Sequence, residues 1–285
     1  MSSVSWESEP DLRRPLLVVA FAGWFDAGDA ATWAVRLLKE HHEAQLLARI
    51  DPEEFFNFQT TRPTVAFNDA GDREVSWPEN DCYWAKADSH DLVLLSGVEP
   101  HLRWKGFSQD LVDIAKKIDA EMVVTLGALV DVVPHTRPPV IKGSATNPEL
   151  ATRLALDRPT YQGPTGLVGV LHDSLDKASV PVISLRAAVP HYVSGTPNPI
   201  ATQSLLRRFE GVTGVPAPAD GLDEAVSEWR ERVDAAVADD PEVAGYVKRV
   251  EAQMQEPPGM DPNDLPTGDD LAAQFEEFLR EQRGE

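Results

Sequence analysis

An α/β fold with a mainly parallel sheet, helices on both faces and a C-terminal helical appendage is predicted by three observations. Short apolar runs without alternation recur along the chain, the pattern of strands covered on both faces. Each is followed by a turn marked by glycine or proline and then by a stretch with apolar residues at helical spacing. After residue 215 the composition changes: residues 216–285 hold 19 acids against 6 Lys and Arg. The organisation expected is a main domain over residues 1–215 and an acidic helical unit over 216–285.

The first apolar run, LLVVAF from Leu16 to Phe21, leads through AGWFDAGDA into a helix carrying Trp33, Val35, Leu37 and Leu38. Gly23 and Gly28 permit a sharp turn, but the spacing is neither G-x-G-x-x-G nor a Walker loop, so no phosphate-binding loop is expected. Asp26 and Asp29 stand where carboxylates cap a helix start. Leu46 to Ile50 is a second strand. Asp51-Pro52, Asn147-Pro148, Asn198-Pro199 and Asp240-Pro241 each pair a capping residue with proline at the first helical position and mark four helix starts. Thr64 to Phe67 and Glu74 to Trp77 flank a turn-rich loop and predict a hairpin at the sheet edge.

Asp91 to Ser96 is the next buried strand, ending at Gly97, Glu99 and Pro100, and a helix with Trp104, Phe107, Leu111, Ile114 and Ile118 follows. Met122 to Leu126 completes a strand, helix, strand crossover and runs out through Asp131, His135 and Arg137. Gly163-Pro164-Thr165-Gly166 opens another helix, with Thr165 as its natural N-cap. Pro181 to Leu185 is the last strand, and it exits through His191 and Tyr192. Trp24, Asp26, Glu99, His135, Arg137, His191 and Tyr192 therefore all leave the C-terminal ends of strands, where open α/β sheets meet ligands and partners. Two His, two acids and an Arg would suit acid/base chemistry if they converge, and would equally suit a loop network or a subunit contact.

Beyond residue 215, Leu222, Val226, Trp229, Val233 and Ala236 keep the 3–4 spacing of an amphipathic helix, as do Val243, Val247, Val250 and Met254. A last helix with Leu271, Phe275, Phe278 and Leu279 on one stripe is expected to dock on its own or a neighbouring subunit.

The net charge of −21 and pI near 4.6 repel nucleic acid and anionic membrane surfaces, so neither is expected as a partner. No apolar run reaches the ~20 residues of a membrane span, and the N-terminus lacks a signal-peptide pattern. A cytoplasmic protein is expected. Cys82 is the single cysteine and reads as a packing residue. Without an H-x-x-x-H or comparable spacing, and without a phosphate loop, neither metal nor cofactor is expected.

The segments LVVAFAGWFDAGDAA, RIDPEEFFNFQTTRPTV, DLVLLSGVEPHLRW, VVTLGALVDVVPHTRP, GPTGLVGVLHD and AAVPHYVSGTPNP together resemble the PAC2 (proteasome assembly chaperone 2) family, in its actinobacterial branch, over roughly residues 16–215. The resemblance implies a three-layer α/β/α domain similar to phosphorylase/hydrolase-like folds, found in homo-oligomers. It also implies a protein partner, proteasome subunits being those of eukaryotic and archaeal relatives. Several of those relatives dock through a C-terminal hydrophobic-Tyr-any motif. This chain ends Arg283-Gly284-Glu285, so docking by that motif is not expected. The function expected is an interaction or assembly-chaperone-like module rather than an enzyme. A small-molecule hydrolase or phosphorylase, or an ATP-dependent carboxylate-amine ligase, is the alternative.

Overall fold

In the structure, a computed structural model that describes residues 3–254, the apolar runs become strands and the periodic stretches become helices. The first half gives β1 (Val4–Trp6), β2 (Leu16–Ala22), α1 (Ala30–His41), β3 (Gln45–Ile50), β4 (Thr64–Phe67), β5 (Arg73–Ser76), β6 (Cys82–Ala85), β7 (Leu92–Val98) and α2 (Trp104–Lys117). The second gives β8 (Met122–Asp131), β9 (Ile141–Ala145), α3 (Pro148–Arg153), α4 (Leu167–Lys177), β10 (Val182–Pro190), α5 (Pro199–Thr213), α6 (Asp223–Asp239) and α7 (Pro241–Gln253). The chain divides into two units, Met1–Pro241 and Glu242–Glu285. Of the second unit only residues 242–254 are described, and residues 242–253 are helical. The predicted helix at residues 271–282 lies outside the described residues.

Eight strands form one sheet in the order β1-β3-β6-β7-β2-β8-β10-β9. Its centre, β7-β2-β8-β10, is parallel throughout, and these are the strands whose apolar runs do not alternate. The flanks β1, β6 and β9 run antiparallel to their neighbours. None of these three was legible in the sequence. They are three to five residues long, and only pairing with a longer strand makes them strands.

Alternation along β2 decides the layers. Leu16, Val18 and Ala20 point into one core with α1 and α5, while Leu17, Val19 and Phe21 point into the other with α2 and α4. Helices thus cover both faces, as the three-layer expectation requires.

Two expectations change. The hairpin β4–β5 is no edge of the main sheet: it is a separate two-stranded sheet with every strand residue exposed. The compositional boundary at residue 215 falls inside the first unit, because Leu222, Val226, Trp229 and Val233 are buried in the same core as α1 and α5. The acids of α6 all stand at exposed positions, so a charge count separates what packing joins.

The four proline-marked starts are all helical. Asn147 accepts from the N–H groups of Glu149 and Leu150, and Asn198 from that of Ala201. Asp51 accepts from Glu53 N–H but begins only a single 3-10 turn, Pro52–Glu54. Cys82 is buried, and burial pushes its thiol up to about 12, which suits packing and not nucleophilic chemistry.

On the α2/α4 side, Thr125 Oγ lies 2.8 Å from His172 Nε2 and donates to the Ile183 carbonyl. Burial, with the neighbouring Arg186 charge, pushes the His172 imidazole down from 6.5 to about 4. The folded state therefore holds this ring neutral where the unfolded chain would protonate it. Stability should be full above the unfolded value and fall as pH drops from about 6.5 toward 4, by on the order of 2 kcal/mol. Urea midpoints at pH 7 and pH 4.5 read this directly. His172→Gln should flatten that window, and an unchanged pH slope in the variant would remove His172 as its cause.

Candidate functional site

The C-terminal ends of the four parallel strands carry the candidate residues other than Thr165, which precedes α4, and the structure forms three separate groups there. The first surrounds Glu99, just past β7. Its Oε1 accepts from Leu167 N–H at 3.1 Å and its Oε2 from Trp24 N–H at 3.3 Å. The predicted cap Thr165 does not cap α4. Gly166 is the N-cap residue, with no side-chain cap of its own, and a carboxylate from β7 takes the role across 68 positions of sequence. An anion there also meets the positive end of the helix dipole. Gly23, at φ 146°, makes this approach possible, since a Cβ on it would stand 2.9 Å from Glu99 Oε2. Glu99→Ala should cost about 1 to 2 kcal/mol through the lost cap, measured as a lower denaturant midpoint. A loss of a few tenths or less would show that water replaces the carboxylate.

The second group is Asp26. It is buried, accepts from Ala31 N–H at 2.7 Å and Thr32 N–H at 3.2 Å, and takes the Thr32 hydroxyl as well. Burial pushes its carboxyl up from the ordinary carboxylate range, against the opposing effect of those three bonds. Asp26 is the anchor of α1, and it also pairs with Ala128 of β8 in an isolated parallel bridge. Phe25, beside it, lies over Gly127, where a Cβ would come within 1.9 Å of the ring. Asp29 is exposed, with left-handed backbone, and its side chain caps nothing.

The third group joins two loops to α6. Tyr192 Oη accepts from His135 N–H at 2.8 Å and sits 2.8 Å from His135 Nδ1, while His135 Nε2 lies 2.9 Å from Asp234 Oδ1. One proton arrangement satisfies all three contacts: the tyrosine O–H donates to Nδ1, and Nε2–H donates to the carboxylate. The His135 side chain is only 2% exposed, whereas that of Asp234 is 64% exposed. His191 packs edge-on against Tyr192, with ring centroids 5.4 Å apart. Arg137 is exposed, and with His135, Pro190 and Trp229 it lines a cavity of about 10 Å³. That is about room for one water and no more.

Asp234 was not foreseen, because nothing in its helical context marks it as the partner of a histidine 99 positions earlier. Among the described residues, no three His, Cys, Asp or Glu side chains are grouped to hold a metal ion.

What the same edge does present is apolar surface. Trp24 follows β2, Leu102 follows β7, Val130 and Val132 lie at and just past the end of β8, and Val140 accepts from Ala188 N–H near the end of β10. Tyr161 precedes α4, at whose N-cap Gly166 a Cβ would stand 3.4 Å from the Trp24 ring. All six are exposed, Trp24 to 69% and Tyr161 to 70%. Since β7, β2, β8 and β10 are adjacent in the sheet, the residues at their ends are strung along one edge as an apolar rim. Of the six only Trp24 stood out in the sequence. Valines at a strand end look like any core valines until the strand is seen to outrun its covering helices.

A family model, that of the PAC2 family, matches residues 20–237. The chain belongs to the PAC2 family. A PAC2 family protein from Streptomyces avermitilis is 42% identical, with TM-score 0.77 over 82% of this chain and 99% of the other. A Mycobacterium tuberculosis proteasome-assembly chaperone homologue is 39% identical, with TM-score 0.74 over 81% and 99% of the two chains. An archaeal proteasome activator from Pyrococcus furiosus shares the fold, at 16% identity and TM-score 0.66 over 83% and 99%. No curated protein matches the chain. The PAC2 match runs past residue 215 into α6, the helix that carries Asp234. Among the described residues no helix is long and apolar enough to cross a membrane.

Proposed function

We propose that this PAC2 protein is an assembly-chaperone-like interaction module that binds a protein partner, a proteasome subunit, through the apolar rim at the C-terminal edge of its sheet. The observation that carries this reading is the gathering of Trp24, Leu102, Val130, Val132, Val140 and Tyr161 on adjacent loops of one edge. Exposed apolar side chains gathered on one edge suit an interaction site, and a tryptophan and a tyrosine are the usual anchors. The partner class comes from the proteasome-assembly chaperone homologue at 39% identity. A cytoplasmic, homo-oligomeric protein is part of the same reading.

The enzymatic alternative would draw on Asp26 and Glu99, and both carboxylates are engaged in holding helix N-termini. His135, the third candidate, is enclosed between Tyr192 and Asp234. These engagements favour binding over catalysis. The test is a photo-crosslinking residue at Val132 of the full chain, mixed with purified proteasome α- and β-type subunits of the same organism. A specific adduct with one subunit type is expected. Equal, weak labelling of all subunits and of an unrelated protein would overturn the reading.

A further inference from the structure

A row of polar side chains crosses the sheet on the side that α4 covers. Thr125 of β8 stands opposite Ser184 of β10, Ser184 opposite Ser144 of β9, and Ser144 opposite Asp157 in an isolated bridge. Residues opposite one another share a face, and here it is the face of Val123 and Val182, which lie in the core with α2 and α4. Two positions further along β10, Arg186 points the same way.

Burial leaves this row with donors to spare. Ser184 and Ser144 are 3% and 5% exposed. Thr125 is fully engaged, by His172 Nε2 and the Ile183 carbonyl. Ser184 Oγ and Arg186 Nε, by contrast, are buried atoms without a hydrogen-bond partner among the described residues. Arg186 Nη2 donates to Ser144 Oγ at 3.5 Å, and that hydroxyl, in accepting, keeps its own proton to donate. Arg186 is in no ion pair among the described residues. Burial pushes its guanidinium down from the ordinary arginine value, with Asp157 the opposing charge. Buried polar groups are paired in nearly all native structures, and a buried charge without a counter-ion is costlier still. Two orphaned donors and an uncompensated cation on one face therefore suit an anion.

The charges select which anion. Lys142, opposite Arg186 on β9, already holds Asp131 at 3.4 Å, so Arg186 is the cation to be balanced. A monoanion balances it, whereas a phosphate dianion would bring a second negative charge toward Asp157. A carboxylate also matches the fork of a guanidinium. Arg186 is only partly buried, so a small acid can reach it from solvent. We infer that Arg186, Ser184 and Ser144 form a binding site for the carboxylate of a small organic acid, between β9, β10 and helix α4.

Acetate is the probe. Titrated into the full chain at pH 7 and constant ionic strength, it should shift the Arg186 Nε–H and His172 ring resonances to saturation, since the Arg186 charge already acts on His172. Ser184→Ala removes one unpartnered hydroxyl, so it should fold as the parent does and bind acetate about 10-fold more weakly. Arg186→Gln should abolish the response, and where that variant folds poorly Ser184→Ala carries the test. Resonances that move no more with acetate than with chloride would overturn the proposal and show that water alone meets these donors. A stronger response to phosphate would overturn the choice of anion. Equal acetate binding in the parent and Ser184→Ala would place the anion elsewhere.

Discussion

His135→Ala is expected to lower the unfolding free energy by about 3 kcal/mol, a sum of two lost hydrogen bonds at ~1 kcal/mol each and a cavity where a buried ring stood. The ring bonds Tyr192 Oη and Asp234 Oδ1 and is packed beside buried Trp229. Its removal leaves the tyrosine hydroxyl without its acceptor and opens space that neighbouring prolines cannot refill. For a domain of this size each kcal/mol moves the melting midpoint by roughly 2 to 4 °C, so a fall of roughly 6 to 12 °C is expected. Asp234→Ala should cost much less, at most about 1 kcal/mol, because its carboxylate is mostly solvated. A midpoint unchanged in His135→Ala would mean that the ring is held for a task other than structure, and the acid/base reading would return.

Trp24→Glu combined with Val132→Glu should weaken binding of the proteasome subunit by about 100-fold or more, since hot-spot side chains at the centre of an interface are worth about 2 to 4 kcal/mol. Both side chains are exposed in the free protein, at 69% and 58%. Neither substitution removes a core contact, and surface changes of this sort stay within about 0.5 kcal/mol of stability. Binding and melting therefore separate cleanly. Titration of the labelled subunit, with melting curves for both proteins, decides the matter. Binding within a few-fold of the parent chain would take the interface away from this rim.

The contrast between the two variants shows how much of the site the sequence made legible. Placing His135 and Trp24 past strand ends needed only the apolar runs and the glycine and proline breaks beside them. Their roles could not be read in the same way. His135 looked accessible because it follows a proline in a polar loop, and it is buried because α6 crosses over it. Thr165 has the chemistry and position of a cap, yet Glu99 reaches the helix first. The hairpin was recognised from its turn residues, but not its detachment from the sheet, since an edge strand and a free arm share the same local pattern.

The α/β class, the central parallel strands, the helix starts at Asn147-Pro148 and Asn198-Pro199, and the family were all determined by the sequence alone. The family rests on the resemblance of six ordered segments to PAC2 proteins, and each of the others on interactions within a few residues or on apolar periodicity that one stretch of chain displays by itself. Tertiary structure alone decided that α6 joins the main core, that β1, β6 and β9 are strands, and that six apolar side chains gather into a rim. Those outcomes depend on contacts between distant positions, such as Glu99 with Leu167 and His135 with Asp234. Burial is a property of what packs against a residue, and no residue carries that information in its own neighbourhood of sequence.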